Sequence, residues 1–185
     1  MKDRSDKPRS YEGELMQIGE PGEAYIGSYL ARRYVKVIPI GKEQRRRDYR
    51  CFLESGKFDL VEGKTDTRIA VTSRVPWEVL RLEQKGMRAY ISWGYATQAS
   101  RVIYFVPQWM KILDIGSADM RKLIFSHLMA KQQELRMVYT LTDEDRITFF
   151  FPVPITLLRA SGYMKEIDIA ELPLTPEIAY QLRLR

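Results

Sequence analysis

Glu62 and Lys64 sit two residues apart in a run, Phe58-Asp-Leu-Val-Glu-Gly-Lys, that reads as a β-strand. Side chains at that spacing point to one side of a sheet, so the carboxylate and the ammonium act together. A second acid, Asp48, opens the preceding run, Asp48-Tyr-Arg-Cys-Phe-Leu-Glu. With Glu54 closing against Phe58 over a Ser-Gly-Lys loop, Asp48 falls across from Lys64 and diagonal to Glu62. Three charged groups then converge where a helix is expected to cover the sheet, and their burial is costly unless pairing or a metal ion compensates. Such a conflict between pattern and electrostatics marks functional sites. The plain alternative is a solvated cross-strand charge cluster.

The elements that position these residues follow from breakers and periodicity. Pro21-Gly22 precedes a helix in which Ile26, Tyr29, Leu30 and Arg33/Tyr34 recur at helical spacing, with Glu23 near its N-terminus. Val35 to Ile40 reads as a strand, and the Asp48–Lys64 segment as a hairpin. Pro76 to Gln84 has a helical look, and Arg88 to Trp93 and Val102 to Val106 read as strands. A second helix spans Ser117 to Leu135, with Ser117 as cap and Met120, Leu123, Ile124, His127, Leu128 and Leu135 on one face. Met137 to Leu141 and Arg146 to Phe151 flank a turn, and a Leu-rich helical turn ends at Gly162 before a final strand or loop through Ile169.

The 185 residues allow one domain with a substantial core. We expect a tail over 1–20, a core over 21–107, and a C-terminal α+β elaboration over 108–185 packed on the same domain. No apolar stretch is long enough to cross a bilayer, and the charged start, MKDRSDKPRS, lacks the apolar run of a secretory signal. Cys51 is the single cysteine, which rules out an intrachain disulfide and fits a reducing, cytoplasmic setting. A formal net charge of +6 would concentrate a polyanion near the surface, a pointer to nucleic acid.

From Gly22 to about Pro107 the chain resembles the PD-(D/E)XK nuclease superfamily, the restriction-endonuclease-like and Holliday-junction-resolvase-like proteins. The resemblance rests on Glu62-Gly63-Lys64 as the E-X-K motif, Asp48 as the first motif acid, and Glu23 as the helix-borne acid. The run Val61-Glu-Gly-Lys-Thr-Asp-Thr-Arg68 is similar to phage and bacterial members. Arg47 stands where the motif's name places a proline, Gly63 replaces a usual Val or Ile, and Ser100-Arg101 replaces an acidic pair.

The resemblance implies a mixed central β-sheet flanked by helices, an α/β restriction-endonuclease-like core, and hydrolysis of phosphodiester bonds in nucleic acid, DNA in the first instance. Asp48, Glu62 and the Gly63 carbonyl would supply the hard oxygen ligands that Mg²⁺ or Mn²⁺ prefers. Glu23 would hold a metal-bound water or a second ion, and Lys64 would position the attacking water or stabilise charge on the phosphate. Arg45, Arg46, Arg47 and Arg68 are candidate phosphate contacts, and Arg74 a possible addition. Glu78 is a further candidate acid, against the reading of an amphipathic surface residue. His127, Cys51, Trp77, Trp93 and Trp109 read as packing residues. A homodimer is implied by resolvase-like relatives alone. The competing classes are a non-catalytic nucleic-acid-binding or assembly protein on the same fold, and an unrelated α/β binding protein with a chance E-X-K.

Overall fold

The computed structural model describes residues 20–40, 48–83, 88–130, 136–143 and 146–172. Helix α1 (Glu20–Arg33) is followed by strands β1 (Lys36–Pro39), β2 (Tyr49–Phe52) and β3 (Phe58–Thr65), then the short helix α2 (Arg68–Thr72). Strands β4 (Arg74–Glu83) and β5 (Arg88–Ile91), the single turn α3 (Trp93–Ala96), and strands β6 (Arg101–Val106) and β7 (Lys111–Gly116) come next. Helix α4 (Ser117–Met129), strands β8 (Val138–Asp143) and β9 (Arg146–Pro154), helix α5 (Ile155–Ser161) and strand β10 (Met164–Asp168) complete the series.

The strands form two sheets, a six-stranded one in the order β1-β2-β3-β6-β7-β10 and a four-stranded one in the order β5-β4-β9-β8. Within the first, β3 and β6 run parallel and every other pair is antiparallel, so the sheet is mixed. Residues alternate between its two faces. Val61, Ile103, Phe105 and Ile112 pack with Ile26 and Leu30 of α1, while Val102, Tyr104, Leu113 and Ile115 pack with Trp77, Val153 and the inner face of α4. The mixed α/β class with flanking helices is therefore the one expected. The proposed boundary after residue 107 falls between β6 and β7, which pair along their length, and β10 adds the sheet's last strand.

Several elements depart from expectation for identifiable reasons. Helix α1 begins at Glu20, not Gly22, because a proline in the first helical turn loses no hydrogen bond that the helix would make. The helical reading of Pro76 to Gln84 is wrong over 76–83. Val75 and Trp77 are fully buried and alternate with Arg74, Pro76 and Glu78, and β4 is paired on both sides, so sheet pairing overrides the local helical pattern. Trp93 leaves the β5 strand to start α3. Strand β7 was not anticipated. Its Lys-Ile-Leu-Asp-Ile-Gly is buried on both faces and carries Asp114 in the middle, which breaks any alternating pattern.

Helix α4 ends at Met129, and Leu135 lies outside the described residues. Gly116 occupies its cap position, whereas Ser117 is its first residue, buried with Oγ unpartnered among the described residues. The β8–β9 hairpin, the helix ending at the left-handed Gly162, and the final strand form where expected.

Candidate active site

The hairpin that carries the motif closes differently from the sequence reading, and the difference resets who faces whom. Gly56 is left-handed, with φ of 78°, and Leu53 N–H donates to the Lys57 carbonyl at 2.8 Å. The loop is therefore Glu54-Ser55-Gly56, with glycine in the third position, where a three-residue hairpin loop needs a left-handed residue. Phe52 pairs with Phe58 and Tyr49 with Val61. The register ends at Tyr49–Val61: the Asp48 N–H donates to the same Val61 carbonyl at 2.9 Å, so Asp48 faces neither Glu62 nor Lys64 as a regular cross-strand pair. Glu62 and Lys64 share one face as expected, whereas the Asp48 carboxylate lies at the strand edge by Gly63, on the side of Tyr49 and Ile26.

Glu62 is only 4% exposed. Its Oε1 receives the Lys64 ammonium at 2.6 Å, and its Oε2 is buried with no hydrogen-bond partner among the described residues. Lys64 is held from the other side by the Trp93 ring, whose centroid lies 5.2 Å from Nζ. Trp93 is in turn braced edge-on by Trp77 at 4.9 Å. The ammonium is thus fixed by an ion pair and a cation–π contact. Tyr104, opposite Lys64 on β6, donates its hydroxyl to the Pro76 carbonyl at 2.8 Å. Burial first, and then the charges of Asp66, Glu78 and Glu62, hold that phenol far above its ordinary pKa, so it stays neutral.

Asp48 is exposed at the end of β2, where its Oδ2 accepts the Gly63 N–H at 2.8 Å. A residue's N–H and C=O leave a strand on the same edge, so the Gly63 carbonyl emerges beside this carboxylate. A Cβ on Gly63 would meet Ile26 Cδ1 at 3.3 Å and Asp48 Oδ2 at 3.6 Å, so helix and acid both crowd this backbone. Glu23 is exposed on α1, not at the inner edge of the buried face. It approaches from the helix side of the sheet, where burial and the charges of Glu23 and Asp48 raise the Tyr49 phenol well above its usual range. The helix start is pressed onto β3: a Cβ on Gly22 would lie 1.9 Å from Thr65 Oγ1. Glu62 and Lys64 point to the opposite face, and Asp48, at the strand end, bonds the backbone of Gly63 between them.

Glu78 is half-buried on β4, accepting from Ser92 Oγ at 2.8 Å and pairing with Arg81 at 3.5 Å. It lines a cavity of about 250 Å³ with Lys64, Asp66, Arg81, Trp93 and Tyr104. It stands half-buried on a strand, not on the amphipathic face expected. Trp93, read from the sequence as a packing residue at the end of a strand, instead starts α3 against Lys64. Arg68 stands on α2, on the rim of a neighbouring cavity, whereas Arg45, Arg46 and Arg47 lie outside the described residues. His127, expected in the core, is half-buried at the end of α4, its Nδ1 3.0 Å from the Leu123 carbonyl of its own helix. Cys51 is fully buried, and burial and Asp59 push its thiol up to about 12.

Asp48, Glu62 and the Gly63 carbonyl are the oxygen donors here that could hold Mg²⁺ or Mn²⁺. The orphaned Glu62 Oε2 fits such an ion, because a buried carboxylate oxygen without a partner is costly. Among the described residues no group of three or more His, Cys, Asp or Glu side chains is placed to hold a metal. No helix among the described residues is long and apolar enough to cross a membrane. No family model matches the chain, and neither a curated protein nor a solved structure matches it.

Proposed function

We propose that the chain is a metal-dependent nuclease that hydrolyses phosphodiester bonds in nucleic acid, DNA in the first instance, on a restriction-endonuclease-like core. The observation that carries this reading is the buried, unpartnered Glu62 Oε2 beside an ammonium held by Glu62 and Trp93. A bound Mg²⁺ or Mn²⁺ would supply charge to polarise the phosphate and acidify water. Asp48, Glu62 and the Gly63 carbonyl would hold it. Lys64, fixed by two contacts, orients water or offsets the charge that develops on the phosphate oxygens, without reorganising during the reaction. Tyr104, neutral and tied to Pro76, walls the site on the β4 side. Glu23, across the sheet edge, would orient a solvent molecule near Asp48.

A second reading has its own support. The Glu62–Lys64 ion pair and the Asp48–Gly63 hydrogen bond satisfy much of the site internally, as suits a non-catalytic nucleic-acid-binding protein. The two separate in one experiment, in which wild type, Asp48→Ala, Glu62→Ala and Lys64→Ala are assayed for Mg²⁺- or Mn²⁺-dependent cleavage of linear, nicked, branched and single-stranded DNA and of RNA. All three substitutions are expected to remove activity. By calorimetry only the two acid variants lose metal affinity, since Lys64 repels the ion. An inert wild type, or full activity in Lys64→Ala, leaves the binding protein as the reading.

A further inference from the structure

The second sheet has one face in the core and one face open. Val75, Trp77, Phe151 and Val153 are buried beneath the main sheet. The residues between them face the other way. Register places Val138, Phe150 and Glu78 in one row across β8, β9 and β4, and Pro152 beside Pro76 in the next. This open face floors a cavity of about 330 Å³ whose rim carries Arg68 and Arg74. Arg74 Nη1 donates to the Pro152 carbonyl at 3.2 Å, which holds the guanidinium over the floor. The cavity shares Asp66, Pro76 and Glu78 with the smaller one that contains Lys64 and Trp93, so one leads to the other across that ridge.

We propose that this groove seats an unpaired nucleic-acid strand, with phosphates at Arg68 and Arg74, a base on Phe150, and the adjoining phosphodiester directed to Lys64. The last clause rests on the nuclease reading; the first two do not. A cationic rim over an aromatic and apolar floor is the combination that single strands use, because their bases are free to stack while their phosphates stay in solvent. A duplex hides its bases and could only lie across the mouth. The acids in the wall do not cancel the rim: Glu78 is offset by its ion pair with Arg81, which leaves Arg68 and Arg74 against Asp66 alone. An uncharged apolar ligand would leave the arginines without a role, and the same arginines at the edge of a stacking surface suit a polyanion with rings.

The test is fluorescence anisotropy in EDTA, which stops cleavage, with a labelled oligothymidylate, the matching oligouridylate and a blunt duplex of equal length. The single strands are expected to bind about tenfold or more tightly than the duplex, in line with stacking of one base. Phe150→Leu, which keeps an apolar floor and removes the ring, should weaken single-strand binding about tenfold and leave the duplex unaffected. Arg68→Ala with Arg74→Ala should weaken binding and lower the salt slope by about two counterions' worth. Equal binding of duplex and single strand, or no response to Phe150→Leu, overturns the groove. Cleavage by wild type in Mg²⁺ alongside that result leaves the nuclease reading standing alone. Ring-dependent single-strand binding without cleavage leaves the groove standing and removes the nuclease.

Discussion

Asp114 and Glu62 are both buried acids of the six-stranded sheet, on β7 and β3 with β6 between them, and the fold treats them in opposite ways. Asp114 has both oxygens answered. Its Oδ2 accepts from Tyr29 at 2.5 Å and from Arg33 at 2.8 Å, and its Oδ1 from Arg101 at 2.6 Å. Burial and then Asp114 raise the Tyr29 phenol to about 12, which keeps it a donor. Glu62 has one oxygen on Lys64 and the other buried without a partner among the described residues. A buried acid fully paired by its neighbours anchors α1 to the sheet. One left with an open oxygen holds unused coordinating capacity, which is what a functional site needs.

The largest expected effect separates the two acids by activity. Glu62→Gln keeps the shape and removes the charge, so metal-dependent cleavage should fall on the order of a thousandfold. Stability should move by less than about 1 kcal/mol in either direction, because Lys64 is 33% exposed and can turn to water. Steady-state cleavage and urea denaturation of the same preparation check both halves. A large loss of stability would put Glu62 in the same class as Asp114.

Asp114→Asn is the mirror experiment. It leaves two guanidinium groups facing a neutral amide, and breaking a buried pair in this way costs about 3 kcal/mol, the low end of the usual range. The low end applies because Arg33 and Arg101 keep 29% and 22% exposure. The urea midpoint should drop while cleavage per folded molecule holds. An unmoved midpoint, or a loss of activity without loss of fold, would break the distinction between the two acids.

How far the sequence foretold this depends on the range over which each feature is decided. The E-X-K strand, its acidic partner and helix α1 were legible because alternation and breakers act locally. The facing pairs were not, since the register turns on which loop position Gly56 takes and Asp48 leaves it by bonding the Val61 carbonyl. Strand β4 escaped because its partners, β5 and β9, come later in the chain, and Pro76 tolerates a strand only where Pro152 faces it. Asp114 escaped for a related reason. Its partners Tyr29, Arg33 and Arg101 come from α1 and β6, so nothing local to Lys-Ile-Leu-Asp-Ile-Gly announces why an acid belongs there. Trp93 acquires its role from Lys64, on a strand paired two elements away.

Glu166 supplies the third point of the comparison and the smallest effect. It lies on β10, next to β7, paired with Arg159 at the surface, where Arg159 Nη2 reaches Oε2 at 3.0 Å. Lys111 adds a longer contact at 3.5 Å. The Arg159 hydrogen bond, opposed by partial burial and helped by the charges of Arg159 and Lys111, holds the carboxyl below its ordinary pKa. A carboxylate depressed in the folded state adds stability above its unfolded pKa and loses it as pH falls through the folded value. Wild type should therefore exceed Glu166→Gln in stability near neutral pH, and the two should converge in acid. The gap should stay within about 0.2–1 kcal/mol, because Arg159 keeps 54% of its side chain in solvent, and it should shrink further with added salt. Urea midpoints for both proteins across that pH range, at low and high salt, measure it. A gap as large as that of Asp114→Asn, or one indifferent to pH and salt, would mean that burial does not rank the acids of this sheet.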